Sequence, residues 1–530
     1  MTGVGTDSVV LDGASLSPED VVAVAREGAT VSIADDAREA VRESRERVEA
    51  VLESGEAVYG VNTGFGELVD ERIPRSDLEP LQENLLRSHA AGVGRELARE
   101  EVRAMMVARA NALVKGYSGI REDVIDLLVA TLNERVHPIV PSRGSLGASG
   151  DLAPLAHMSL VLIGEGEAEV TTDGETKRLS GDEALSAVGL EPVTLEAKEG
   201  LALVNGTQLS VGLGALAVRD ATAALRSADV AGALTTEVTM GSTVPSHEAI
   251  SAVRPHPGQA ASARNVRRLT AESGVVESHR NCDRVQDAYS IRCLPQVHGA
   301  VRDALDHLRE AVETELNSAT DNPLLFARAD APDRASGTGD AAVLSAGNFH
   351  GEPLALRLDY AAGALTELAA VCERRVDRML NPNLQEDHLP PFLTERGGVM
   401  SGYMIAQYTA AALLNECRAT GRPSIDSTPV SGNQEDHVSM SGQSALSFRS
   451  VVENVQTVVG IELLCAAQAA EFLDDSLSHG VGTGIAYGTV REVIPKLDAD
   501  REVHEDIDRA RTLVAEGLLV DRVGEAVGLE

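Results

Sequence analysis

Four stretches of this 530-residue chain, residues 301–316, 354–379, 401–420 and 444–473, carry apolar side chains at helical spacing over many turns. Several are rich in Ala and Leu on more than one face. A helix that is apolar all round has to be covered on every side, so these segments belong at the centre of a helical bundle or of an oligomer. Helical signals dominate elsewhere too. Ser17-Pro18-Glu19-Asp20 offers a capping serine, a proline at the first helical position and acids that complement the helix dipole. Residues 36–54 read as a charged, exposed helix, and 78–91 and 99–114 as two more. Strand signals are few and local; Asp173-Gly174, between β-prone residues of 169–176, predicts a hairpin turn. The expected class is mainly α, with a long central bundle and minor β-hairpins. There is no internal repeat and no low-complexity linker, and the Gly/Asp/Ala-rich 327–341 reads as an exposed loop. The chain divides by character: an N-terminal region over 1–200, the long helices over 201–490, and a charged, peripheral helical segment over 491–530.

Acids outnumber bases by 82 to 46, a formal charge of −36. Phosphate binding needs a basic surface, so nucleic acid is excluded as a partner. An acidic substrate is confined to a locally basic pocket. Lysine occurs only at 115, 177, 198 and 496, so arginine supplies the other 42 of the 46 basic residues. Acid excess with little lysine fits a salt-adapted surface of a halophilic microbe, because at ~1 M salt the Debye length is only ~3 Å and self-repulsion is screened. The five cysteines are odd in number and lack metal-type spacing, as expected of free thiols in a reducing cytoplasm. The N-terminus lacks a basic region followed by an apolar one, and no apolar run approaches the ~20 residues that span a bilayer. A cytoplasmic protein with no membrane partner is expected.

Ala148-Ser149-Gly150, in the run from Gly144 to His157, has the composition a backbone needs to cyclise on itself. The Gly150 nitrogen can attack the Ala148 carbonyl carbon, unobstructed by a Cβ. Loss of water from that ring and from the Ser149 side chain leaves an exocyclic methylene, an electrophile that no ordinary side chain provides. The plainer alternative is a Gly/Ser-rich turn before a helix. Other segments carry isolated polar groups. Tyr59 sits in a glycine-punctuated loop, Tyr59-Gly60-Val61-Asn62-Thr63-Gly64-Phe65-Gly66; a phenol acts as a base only if its surroundings tune it. His89 ends a helix after Ser88. Asn205 precedes Gly206. Tyr289 and Arg292 are three apart and share a helical face, where Arg292 could clamp a carboxylate bidentately. Glu435 and His437 stand in Asn433-Gln434-Glu435-Asp436-His437, without the further residues a metal site requires.

In order and across about 17–487, these motifs resemble the aromatic amino-acid ammonia-lyases, whose cyclised tripeptide is called methylidene-imidazolone (MIO). The resemblance implies an ammonia-lyase/fumarase-like helical bundle and an MIO formed from Ala148-Ser149-Gly150, with no dissociable cofactor and no metal. It implies that Tyr59 is the catalytic base and that Asn205 hydrogen-bonds the MIO oxygen, an oxyanion-hole-type effect. It places Tyr289 near the MIO and Arg292 on the substrate carboxylate, with Gln286 in the same pocket. Phe349, in Ser345-Ala346-Gly347-Asn348-Phe349-His350-Gly351, would contact the prosthetic group. Ala288 departs from the proline of many members, which bears on loop stiffness more than on chemistry. Ser88-His89 and Gln434-Glu435-Asp436-His437 match the histidine-specific members, so His89 and Glu435 would hold an imidazole. The expected reaction is non-oxidative elimination of ammonia from L-histidine to trans-urocanate, the first step of histidine degradation, in a homotetramer with shared active sites. A phenylalanine or tyrosine lyase or an aminomutase is the alternative within the family. A non-catalytic scaffold is the alternative outside it.

Overall fold

The computed structural model describes residues 8–55, 58, 60, 61, 63, 73, 74, 77–172 and 174–530. Its centre is built from the long helices Gln208–Val238, Leu294–Leu316, Glu352–Leu380, Met404–Ala419 and Ser441–Ala470, which pack on one another. Four of these fall where the apolar periodicity predicts a helix. The longest, Gln208–Val238, does not, and the reason is physical. It is buried on nearly every face, so it has no polar stripe to create a period, and Gly212, Gly214 and Gly232 interrupt it. Gly212 is there for close approach: a Cβ would stand 2.9 Å from the Ala104 carbonyl carbon and 3.0 Å from the Met105 nitrogen of helix Arg99–Val114. Ser441–Ala470 is long and apolar enough to cross a membrane, with mean hydropathy 1.3, yet 78% of that apolar window is buried inside the protein. It is a core helix. The penultimate helix, Val503–Ala515, crosses it closely at Gly460, where a Cβ would be 2.9 Å from the Arg511 nitrogen.

At the N-terminal end the predicted cap forms in full. Ser17 and Asp20 exchange bonds, Asp20 N–H to Ser17 Oγ at 3.1 Å and Ser17 N–H to Asp20 Oδ2 at 2.9 Å. Among the described residues the strands make four small sheets rather than hairpins alone. Ser8–Leu11 pairs in parallel with Thr30–Ile33, which requires a crossover; the helical turns of Pro18–Val22 and Ala23–Glu27 supply it. Glu167–Thr172 and Glu175–Ser180 form the hairpin predicted from Asp173-Gly174, with Thr172 opposite Glu175. The exposed loop expected at 327–341 lies between two paired strands, Leu324–Ala327 and Ala341–Leu344, and Arg328 ties it internally by donating to the carbonyls of Ala335 (2.9 Å) and Ala341 (2.6 Å).

One consequence of this packing positions the chemistry. The N-termini of Leu152–Leu160, Gln208–Val238 and Ser441–Ala470 converge on residues 144–151. Asp151 precedes the first, Ser210 lies in the first turn of the second and Ser441 starts the third, and the three are joined by hydrogen bonds. Three positive dipole ends therefore face one loop, a field that favours negative charge there.

Candidate active site

Residues 144–151 form a loop whose glycines have positive φ: +138° at Gly144, +63° at Gly147 and +76° at Gly150. At Gly150 the requirement is also steric. Its backbone runs beside Gly206 as a parallel bridge, and a Cβ would stand 2.3 Å from the Gly206 oxygen and 2.4 Å from its nitrogen. Only glycine suits both the conformation and the approach. Neighbouring segments pin the loop. Asp151 N–H donates to the Gly206 carbonyl (2.7 Å), Met440 N–H to that of Leu146 (2.7 Å), and Gly351 N–H and Ser439 Oγ to that of Gly147 (3.0 and 2.9 Å). The Asp151 carboxylate is fully buried, accepting from Ser145 Oγ (2.5 Å) and from Ser210 N–H (2.8 Å). Burial pushes its pKa up. Nearby, Thr207 Oγ donates to Glu315 at 2.5 Å, and burial raises this carboxyl as well.

Asn205 ends the short helix Glu199–Val204 and is 2% exposed. Its Nδ2 donates to the Ser149 carbonyl oxygen at 2.8 Å and reaches Ser149 Oγ at 3.0 Å. The reverse amide orientation would set two acceptors against each other, so the donor must face Ser149. Behind it, Arg109 is fully buried and bonds no carboxylate among the described residues. Its Nη1 donates to the Asn205 carbonyl (2.9 Å) and to Gln208 Oε1 (2.7 Å), and its Nη2 to the Ala202 carbonyl. Burial brings its pKa down to about 10, with Asp321 opposing, so the guanidinium stays charged at neutral pH. Arg109 and Asp151 are buried charged neighbours of this loop that motif reading passed over. The available signal for Arg109 was an arginine inside an otherwise apolar helical run.

His89 closes helix Leu78–His89, with Nδ1 2.9 Å from the Leu85 carbonyl. A carbonyl only accepts, so Nδ1 carries the hydrogen and Nε2 is left as an acceptor. Burial lowers the pKa of this ring and keeps it neutral. The following turn abuts the Gly144 end of the loop, where a Cβ on Gly144 would be 3.2 Å from Gly92 Cα. Glu435 is half-buried, burial pushes its carboxyl up, and no described side chain pairs with it. Phe349 is half-buried in the segment that ends at Gly351, against the loop. Beside it the His350 and His437 rings stack at 5.7 Å.

Tyr289 and Arg292 do share a face: the Arg292 guanidinium carbon lies 4.7 Å over the Tyr289 ring. Gln286 and Arg292 line a cavity of about 400 Å³ with His279, Arg284 and Asp287. No described hydrogen bond or ring contact joins this group to the 144–151 loop within one chain, and Tyr289 is 70% exposed. Tyr59 lies outside the described residues. Gly60, next to it, has φ +73°, and a Cβ there would stand 2.7 Å from Pro323 Cδ.

Residues 16–492 match the aromatic amino acid lyase family, and the chain belongs to it. A relative from Halobacterium salinarum, described as a probable histidine ammonia-lyase, is 64% identical over 98% of this chain and 99% of its own. Among solved structures, the histidine ammonia-lyase of Trypanosoma cruzi superposes with a TM-score of 0.88 at 41% identity, over 98% of this chain and 95% of that one. The tyrosine aminomutase of Streptomyces globisporus superposes as well, at 0.90 with 37% identity and 99% coverage of both chains. The backbone alone therefore does not select the reaction; the side chains have to.

Proposed function

We propose that this chain is a histidine ammonia-lyase, which eliminates ammonia from L-histidine to give trans-urocanate. The observation that carries the reaction class is Asn205 Nδ2 on Ser149, in a loop that three helix N-termini face. Gly150, held with no room for a Cβ, and the half-buried Ser149 suit the cyclised tripeptide. When formed, the MIO supplies the electrophile that makes the substrate's amino group a better leaving group. Asn205 places a donor at its oxygen, and the fixed charge of Arg109 orients the peptide that carries Asn205. Tyr59 removes the β-proton. Arg292 takes the carboxylate bidentately, with Gln286 and Tyr289 beside it. Phe349 contributes an apolar wall.

Substrate choice rests on His89 and Glu435. His89 Nε2 is an acceptor for an imidazole N–H, and the Glu435 carboxylate, which no described side chain engages, accepts the second N–H of an imidazolium or pairs with the ammonium. A site built to hydrogen-bond an imidazole rejects a phenyl ring, because its own polar groups would be left unpaired. The lack of any described contact between the Tyr289–Arg292 group and the 144–151 loop, with Tyr289 exposed, supports an active site completed by a second copy of the chain, within a homotetramer. Exposed apolar side chains on the central helices, Leu356 and Tyr360 on one and Ile405 and Tyr408 on another, support the same reading. With it go a cytoplasmic location, a salt-adapted surface, and no nucleic-acid or membrane partner.

The test is incubation with L-histidine at several salt concentrations, following urocanate by ultraviolet absorbance. L-Tyrosine and L-phenylalanine are run alongside, with their β-isomers sought by chromatography. Higher efficiency on either aromatic, or β-amino-acid formation, overturns the assignment. Intact mass gives an independent check, since a chain that has not lost two waters carries no MIO.

A further inference from the structure

Each of four central helices sends one ionisable side chain to a common point in the core: Asp229, His298, Arg375 and Glu462, all 0% exposed. Arg375 forks onto Glu462, Nε to Oε1 at 2.5 Å and Nη2 to Oε2 at 2.8 Å, and Thr235 Oγ adds a bond to the same carboxylate at 2.9 Å. His298 Nδ1 lies 2.8 Å from Asp229 Oδ1, whose other oxygen accepts from Asn265 (2.8 Å) and Arg302 (2.9 Å). His298 Nε2 faces Arg375 Nη1 and Nη2 at 3.2 and 3.3 Å. Both of those atoms are donors, so Nε2 accepts and the ring is neutral with its hydrogen on Nδ1. Gly232 makes the room, since a Cβ there would stand 3.3 Å from Arg375 Cζ.

One bond of the cluster runs toward Arg292. Arg375 Nη1 donates at 3.3 Å to the carbonyl of Ser290, inside the four-residue helix Tyr289–Arg292. His298 lies in the first two turns of the next helix, Leu294–Leu316. The backbone is thus gripped on both sides of Arg292. Among the described residues Arg292 itself has no carboxylate partner, and its Nε is buried without a hydrogen bond. An arginine reserved for a ligand cannot be aimed by a protein carboxylate, so its backbone has to aim it. A buried ionic cluster is also a poor source of stability, because apolar replacements of similar volume are often as stable or more so.

We infer that Arg375, held by Glu462 and His298, is a positioning residue for recognition of the substrate carboxylate, acting through Ser290 on Arg292. This rests on the assignment of Arg292 to that carboxylate. Arg375→Lys keeps the charge beside Glu462 and removes the second arm of the fork. Two competitive ligands separate positioning from general damage: urocanate, which has a carboxylate, and histamine, which lacks one. Arg375→Lys should raise the KM for L-histidine and the inhibition constant of urocanate at least tenfold, leave that of histamine within twofold, and leave the two-water mass loss intact. His298→Gln, which spares the Arg375–Glu462 fork, is measured in parallel and should show the same selectivity at about threefold. Both constants moving together, or neither moving in both variants, overturns the inference. Arg292→Ala tests the underlying assignment separately: if urocanate binding ignores that change, the assignment of Arg292 fails rather than the role of Arg375. If both hold, Arg375→Lys adds nothing further in the Arg292→Ala background.

Discussion

Among the described residues, Asn205 carries the one side-chain donor that reaches Ser149, and replacing it by alanine removes that donor and changes little else. Its backbone is a helix C-cap whose N–H bonds the Leu201 carbonyl, and its own carbonyl stays with Arg109; both survive truncation. Loss of a single preorganised donor at a developing negative charge costs about 2.7–4 kcal/mol, or about 10²–10³ in kcat. The 2.8 Å contact and 2% exposure of Asn205 place it at the upper end, since little solvent screens the bond. Asn205→Asp is the sharper companion. It keeps the shape but sets an acceptor against the Ser149 oxygen, so its loss should exceed that of alanine despite the closer match in size. Initial rates of urocanate formation over a range of L-histidine give kcat and KM. Intact mass on the same samples separates failed ring formation from failed catalysis. A variant with full two-water loss and kcat within threefold of the parent would refute the oxyanion-type role, as would an aspartate better than the alanine.

Gly150→Ala should fold, lose the two-water mass shift and be inactive. A left-handed alanine costs ~1–2 kcal/mol, and its Cβ meets the Gly206 backbone at 2.3 Å; normal mass loss in this variant contradicts the steric argument. His89→Phe removes the Nε2 acceptor and should reduce the preference for histidine over phenylalanine by at least ~10²-fold in kcat/KM, and an unchanged ratio excludes His89 from ring recognition. His137 gives a pH prediction. Burial, with the nearby Arg103 and Arg99, pulls its pKa down to about 4, against an unfolded value near 6.5. The unfolded chain then binds the extra proton, so this contribution is complete above about pH 6.5 and falls away by ~3 kcal/mol down to about pH 4. Denaturant unfolding of the parent should therefore lose more stability than His137→Asn over that window, and parallel slopes would discount the buried histidine.

The parts of this protein that were legible in the sequence are those whose chemistry is local. Ala148-Ser149-Gly150 could be read as a candidate for ring closure because its three residues adjoin, and Ser17 with Asp20 could be read as a cap for the same reason. Long helices with one polar face could be read from their period. Gln208–Val238 could not, because full burial erases the period and its glycines, which allow close approach, look like breaks. Arg109, Asp151 and Arg375 escaped because a buried charge is recognised by its partners, and those lie on other helices. Asp151 meets Ser210, Arg109 meets the carbonyls of 202 and 205, and Arg375 meets Glu462, 87 residues away.

The same logic explains why the resemblance could name Tyr289 and Arg292 while no described hydrogen bond or ring contact joins them to Ser149 within one folded chain. A motif records which residues cooperate and is silent on whether they share a chain. The two possibilities differ in an observable way. If one copy supplies Ser149 and another supplies Arg292, then Ser149→Ala and Arg292→Ala, each inactive alone, complement each other when their chains are mixed during refolding or co-expression. With random 1:1 assembly, about a quarter of the sites in a symmetric oligomer draw the intact Ser149 from one variant and the intact Arg292 from the other, so about a quarter of parental activity returns. If both residues act within one chain, every site carries a defect and nothing returns. Mixing the two proteins after each has assembled should restore nothing in either case, which isolates subunit exchange as the cause. Recovery near a quarter places the carboxylate clamp across the subunit boundary, and activity that stays at the level of the separate variants removes it from there.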